Sequence, residues 1–260
     1  MSYTNLHAMH EAGVLTLTLD RPKANAFDFV MIEELLGALR NAKRDPGLRC
    51  LVLTGAGRFF SSGQDVAKIL EEGPEVPYRA HLQRTYNAIV LALRNLEVPV
   101  IGAINGTAAG AGLGIALATD IRWAAASAQF IYGFSAIGLA ADSGVSLTLP
   151  LHVGLAKASE MAFTNQALDA AEALEWGLVS RVLPDEQLLP SVGDLAQKIA
   201  AGATRALGLT KRAFNRAYLS NLEQVLDYEA HLQQVAGETR DHQEGLQAFL
   251  AKRAPEFEGK

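Results

Sequence analysis

The stretch from Val98 to Ala118 constrains this chain more than any other. It is almost wholly apolar, yet it holds Pro99 and five glycines, Gly102, Gly106, Gly110, Gly112 and Gly114. A bilayer-spanning helix needs about 20 apolar residues without such breaks. The alternative is a buried strand over 98–104, a tight turn at Asn105-Gly106, and a close-packed glycine- and alanine-rich helix from about Ala111. A chain that buries a strand and a helix back to back builds an α/β core.

The flanking segments agree. Val14–Leu19 alternates apolar residues with Thr16 and Thr18, as a half-buried strand does. Asp28 is placed to cap a helix reaching roughly Ala42, and Asp45-Pro46-Gly47 breaks the chain before an apolar strand at 50–54. A single amphipathic helix is predicted over 78–95, with short strands at 121–125 and 129–132. Beyond Val182 the pattern is helical, over 186–200, 204–221, 222–236 and 242–251. Apolar faces of that extent must be buried on the core or on another subunit.

Composition narrows the function. The 260 residues carry 23 basic and 28 acidic side chains, a net charge of −5. Such a chain has no basic excess to neutralise a phosphate backbone, so no nucleic-acid partner is expected. One cysteine, Cys50, excludes an intrachain disulfide framework and a cysteine-rich zinc site. The six histidines show no metal-ligand spacing, so no metal is expected. His81 and His152 stand out no more than the others. Residues 1–13 lack the apolar run of a signal peptide. The sequence predicts a soluble, cytoplasmic protein with no membrane partner.

Gly110-Ala-Gly112-Leu-Gly114 follows a strand and invites a dinucleotide-binding reading. Ile115 stands where the third glycine of that fingerprint belongs, and no phosphate loop occurs elsewhere. Close helix–strand packing accounts for these glycines better than a ligand role does. Neither NAD nor ATP is expected as a cofactor.

Four segments in register carry a more specific signal: Arg21-Pro-Lys-Ala-Asn-Ala26, Phe60-Ser-Ser-Gly-Gln-Asp65, Ile104-Asn-Gly-Thr-Ala-Ala-Gly-Ala-Gly112 and Ile137-Gly-Leu-Ala-Ala-Asp-Ser-Gly144. Together with Ala171–Val179 and Phe249–Arg253 they resemble the crotonase superfamily, the enoyl-CoA hydratases and isomerases. The resemblance implies an α/β fold, a spiral of ββα units with a C-terminal helical oligomerisation region. It divides the chain into an acyl-CoA-binding core at 1–195 and a helical region at 196–260. It also implies an acyl-CoA thioester as substrate, coenzyme A arriving as part of that substrate rather than as a separate cofactor, and a homotrimer or homohexamer.

Site residues follow from the same resemblance. Two backbone N–H groups, of Gln64 and Ala111, are expected to hold the thioester oxygen as negative charge develops on it. Coenzyme A is expected along Lys23, Ala24, Ala26, Gln64, Asp65 and Val66, with Lys252 and Arg253 either reaching phosphates or solvated. Gly110, Gly114, Phe134 and Leu139 are expected to line the acyl pocket. Hydratases of the superfamily carry two glutamates, and here their positions read Gly114 and Phe134. Adding water to a double bond needs a group to activate the water and a proton donor. One acid remains nearby, Asp142, at a position where certain dienoyl-CoA isomerases and the ring-epoxide isomerases of bacterial phenylacetate degradation resemble this sequence. It reads either as an acid/base in an apolar pocket, where desolvation raises its pKa, or as a helix N-cap. The chain resembles the ring-epoxide isomerases in particular, which implies isomerase activity on ring 1,2-epoxyphenylacetyl-CoA or on Δ3-enoyl-CoA. The alternatives are an enoyl-CoA hydratase and a non-catalytic acyl-CoA-binding protein.

Overall fold

The computed structural model describes residues 3–71 and 77–260. The chain opens with an antiparallel hairpin, β1 (Leu6–Glu11) and β2 (Val14–Leu19). Ala12 and Gly13 both take positive φ at the turn, which matches the right-handed twist of two paired strands. Sequence patterning misses β1 because all but its first residue is exposed and no apolar alternation marks it. Asp28 then caps α1 (Phe29–Arg44) as expected, accepting from the Met31 amide at 2.9 Å.

From here the chain repeats a strand, a second strand and helical structure at irregular lengths. The first set is β3 (Cys50–Gly55), β4 (Phe59–Ser61), α2 (Val66–Glu71), α3 (Tyr78–Arg84) and α4 (Tyr86–Arg94). The single helix predicted over 78–95 is in fact two. Thr85 leaves helical geometry at φ −115°, ψ −96°, and its hydroxyl turns back to the His81 carbonyl at 2.7 Å, competing with the backbone ladder. The next sets are β5 (Val100–Ile104), β6 (Thr107–Ala109) and α5 (Ala111–Leu117), then β7 (Ile121–Ala125) and β8 (Gln129–Ile131). A 3-10 turn at Ser135–Ile137 leads to α6 (Val145–Thr164). Pro150 and a non-helical Gly154 kink α6 and hide it from a periodicity reading. Short β9 (Leu168–Asp169), α7 (Ala170–Glu175) and β10 (Arg181–Leu183) follow. The tail is α8 (Asp185–Ala200), α9 (Thr204–Tyr218), α10 (Leu222–Gly237) and α11 (Arg240–Ala251). Residue 195, where the sequence divides core from tail, lies inside α8.

From β3 to β8 successive strands alternate between two sheets. One has the order β1-β2-β3-β5-β7-β10 and the other β4-β6-β8-β9. This is the expected ββα spiral. Central strands of the larger sheet are buried on both faces: Leu51 and Leu53 face the main core, while Cys50 and Val52 pack under Leu188, Val192 and Ala196 of α8. Such two-sided burial explains why β3 reads as a continuous apolar run.

A buried charge cluster pins α9 against this sheet. Asp120 pairs with Arg94 at 2.8 Å and Lys211 at 2.9 Å, and takes the Val100 amide at 2.8 Å. Desolvation pushes the Lys211 ammonium down to about 8.

Candidate functional site

The smaller sheet places the two expected backbone donors. β4 and β6 run parallel as neighbours, and Gln64 and Ala111 follow their C-terminal ends. Phe27 bridges to this turn: its N–H donates to the Gly63 carbonyl at 2.7 Å and its carbonyl accepts from Asp65 at 2.9 Å. That alternation turns the Gln64 N–H away from Phe27. Ala111 is the first residue of α5, where an amide has no acceptor within its helix. Among the described residues neither amide donates within the chain. Gly63, at φ 85°, lets the turns meet: a Cβ there would lie 2.8 Å from the Ala109 carbonyl and 3.2 Å from the Ala111 nitrogen.

Both residues line a cavity of about 590 Å³ with apolar walls that include Phe134, Ile137, Leu139 and Phe249. Asp142 lies on the same wall, 6% exposed. It is not a helix cap. The N-cap of α6 is Gly144, and no side chain of its own caps that helix. Instead Asp142 Oδ1 accepts from the Ser143 hydroxyl at 2.6 Å and Oδ2 from Gln233 Nε2 at 2.9 Å. Burial raises its pKa to about 7, with the Ser143 and Gln233 hydrogen bonds opposing the rise and nearby Glu229 adding to it. A carboxyl so placed exchanges protons near neutral pH.

The other acid lining the cavity, Asp65, is bound to Arg21 at 2.8 Å, and Arg21 also holds Asp28 at 2.8 Å. Of the residues expected along coenzyme A, Lys23, Ala26, Gln64, Asp65 and Val66 line the cavity. Ala24 and Lys252 do not. The Ala24 carbonyl accepts from the Ser62 amide at 3.0 Å, and Lys252 ends α11 as an exposed residue with φ 52°. Gly110, Phe134 and Leu139 line the same cavity, whereas Gly114 is packed under Ser143.

Sequence reasoning misses four polar groups at this site. The Gln64 side-chain oxygen accepts from both the Tyr86 hydroxyl and His81 Nε2, the latter at 3.1 Å. Both rings line the cavity, and burial lowers the His81 pKa, favouring the neutral ring. Glu229 and Gln233 come from α10, far off in sequence. Their one signal is position: two polar residues on the buried stripe that Leu222, Leu226, Ala230 and Gly237 otherwise define.

The sequence pattern of the enoyl-CoA hydratase/isomerase family matches residues 9–260. The chain is 44% identical over 253 residues to the 1,2-epoxyphenylacetyl-CoA isomerase of Escherichia coli (strain K12), covering 96% of this chain and 97% of that protein. It is 38% identical to a probable enoyl-CoA hydratase of Rhodobacter capsulatus over the whole of both chains. The crystal structure of an enoyl-CoA hydratase from Mycobacterium avium subsp. paratuberculosis K-10 superposes with a TM-score of 0.89 at 33% identity, covering 98% of this chain and 99% of that one. With that fold, this order of motifs and these relatives, the chain belongs to the enoyl-CoA hydratase/isomerase family, the crotonase superfamily of enzymes acting on acyl-CoA thioesters.

Proposed function

We propose that the protein is an acyl-CoA isomerase. It converts ring 1,2-epoxyphenylacetyl-CoA to oxepin-CoA, shifts Δ3-enoyl-CoA to Δ2, or does both. The observation that carries this reading is the cavity's acid content. Among the described lining residues the carboxyls are Asp65, which Arg21 neutralises, and Asp142, which no cation pairs. One available carboxyl suits a proton shuttle. Ionised Asp142 takes a proton from C2 of the Δ3 substrate, and the electron pair moves onto the thioester oxygen between the Gln64 and Ala111 amides. The same proton returns at C4 as the double bond moves to C2–C3. Donors aimed at an oxyanion of this kind are worth about 3–4 kcal/mol each. Ring expansion of the epoxide breaks and forms bonds within the ring with no net proton transfer, so there the cavity supplies shape and thioester polarisation. The 44% identity to an epoxyphenylacetyl-CoA isomerase supports the ring substrate.

Lys23, Ala26, Asp65 and Val66 line the approach that coenzyme A takes in this reading. Hydration is disfavoured at a specific point: a side chain at position 114, where a hydratase carries a glutamate, has no room under Ser143. Purified protein assayed with crotonyl-CoA, a Δ3-enoyl-CoA and ring-epoxide phenylacetyl-CoA tests the proposal. Turnover of the second or third without appreciable hydration of the first is expected. Efficient crotonyl-CoA hydration alone would make the protein a hydratase, and no turnover with tight acyl-CoA binding would make it a non-catalytic binder.

A further inference from the structure

Asp142 is governed from a distant part of the chain. The turn that carries it is tightly wound: Ser143 and Gly144 both have positive φ, at 56° and 78°. A serine in that conformation is uncommon and persists only where its surroundings hold it. The hold comes from α10. Glu229, 2% exposed, takes the Gly144 amide on Oε2 at 2.7 Å, and on Oε1 the Ser146 amide at 2.8 Å and the Ser146 hydroxyl at 2.5 Å. Its carboxylate thus fills the role of the side-chain cap that α6 lacks. One helical turn further along α10, Gln233 donates through Nε2 to the Ala140 carbonyl at 2.8 Å and to Asp142 Oδ2 at 2.9 Å. A carbonyl can only accept, so the contact with Ala140 fixes which end of the amide faces Asp142.

We propose that Glu229 and Gln233 are the positioning pair of Asp142: Glu229 clamps the turn that presents the carboxyl, and Gln233 orients the carboxyl itself. Neither residue handles substrate atoms in this scheme. They act with opposite electrostatic sign, since the Gln233 hydrogen bond stabilises the ionised carboxyl and the Glu229 charge opposes it. Tyr78 and His81 of α3 line the same cavity, and the titratable groups that feel the Asp142 charge include Tyr86 of α4 and Tyr132 beyond β8. Burial raises the phenols of Tyr86 and Tyr132, the latter to about 12, so both stay neutral in the working range. Helix α10 therefore adjusts the protonation that burial imposes on the cavity acid, as well as covering apolar surface.

This inference rests on reading Asp142 as the proton carrier, so the experiment separates the two. Titration of Asp142 is followed directly by carbon NMR of aspartate-labelled protein, with Asp142→Asn assigning the signal. Alongside it the pH profile of kcat and KM is recorded for Δ3-to-Δ2 isomerisation. Gln233→Met, which keeps the volume and removes the donor, is expected to move the titration midpoint up by about one pH unit, with KM within about twofold. Glu229→Gln is expected to move the midpoint down. Opposite displacements from one helix face are not what a merely structural role gives. If Glu229→Gln does not fold, Gln233→Met decides alone. An unmoved midpoint in the folded variants overturns the positioning role. Displaced midpoints with an unchanged pH–rate profile sustain it and instead remove Asp142 from the chemistry.

Discussion

Ser143 Cβ stands where a side chain at residue 114 would begin: a Cβ on Gly114 would lie 2.3 Å from it and 2.9 Å from the Ser143 carbonyl oxygen. The turn before α6 and the helix α5 are packed too closely for anything but glycine. Gly114→Ala is therefore expected to destabilise by about 1–3 kcal/mol despite alanine's better helix propensity, because the clash involves backbone. Gly114→Glu is expected to melt lower still and to gain no crotonyl-CoA hydration. Thermal melting and a hydration assay check both, and a stable, hydrating Gly114→Glu protein would contradict the packing argument.

Asp142→Asn keeps shape and leaves the α6 cap intact, since Gly144 holds that position. Δ3-to-Δ2 isomerisation is expected to fall by about 10²–10⁴-fold, with ring expansion reduced less. In the wild type, activity needing the ionised base is expected to rise with pH around a midpoint of about 7. Stability runs the other way. The folded pKa lies above the unfolded value of 3.8, so the native state holds the extra proton between them and stability falls as pH rises from about 4 to about 7. Melting temperature against pH should show that slope in the wild type and a flatter one in Asp142→Asn.

Ala111→Pro removes an N–H that serves no hydrogen bond among the described residues, at the first position of a helix, where proline is tolerated. Circular dichroism is expected to stay native while turnover drops by about 10²–10³-fold. Unchanged turnover in a folded variant would take Ala111 out of the oxyanion pair.

Asp120→Ala strands two cations, Arg94 and the buried Lys211, that the carboxylate now pairs. Breaking one partner of a buried pair costs about 3–5 kcal/mol. Denaturant melts should show that loss, and the protein that remains folded should keep its KM, because Asp120 lies outside the candidate cavity.

Apolar side chains stay uncovered along the tail helices, among them Tyr228 and Val235 of α10 and Phe249 and Leu250 of α11. Light scattering is expected to give a mass of three or six chains. A stable monomer at micromolar concentration would refute the expected assembly.

What the sequence revealed and concealed divides along physical lines. Strands β2, β3 and β5 and the capped α1 were legible because each has a strong local pattern: alternation, a continuous apolar run, or an aspartate at a helix start. Strand β1 has no buried face to pattern it, and α6 is interrupted by Pro150 and Gly154. At the candidate site, Gln64, Ala111 and Asp142 could be placed through motifs that keep their spacing along the chain. Glu229 and Gln233 could not, because their meaning depends on a helix some ninety residues away folding back onto Asp142, as their 83–91 residue separations from its turn show. Ala24 and Lys252 lie off the cavity lining for a related reason: a motif names a loop, and only the fold decides which of its atoms face inward.

The pairing of β4 with β6 has a wider meaning. The turns that carry the Gln64 and Ala111 amides leave two hydrogen-bonded neighbouring strands, whose spacing of about 4.8 Å is common to every sheet. Beyond the missing Cβ at Gly63, no side chain has to be chosen to bring these turns together. In the proposed function the thioester grip is thus an architectural constant, while Phe134, Ile137, Leu139 and Phe249 are free variables around it. Redesign of this enzyme for a new acyl group can change the walls of the room and leave its keystone where the ladder put it.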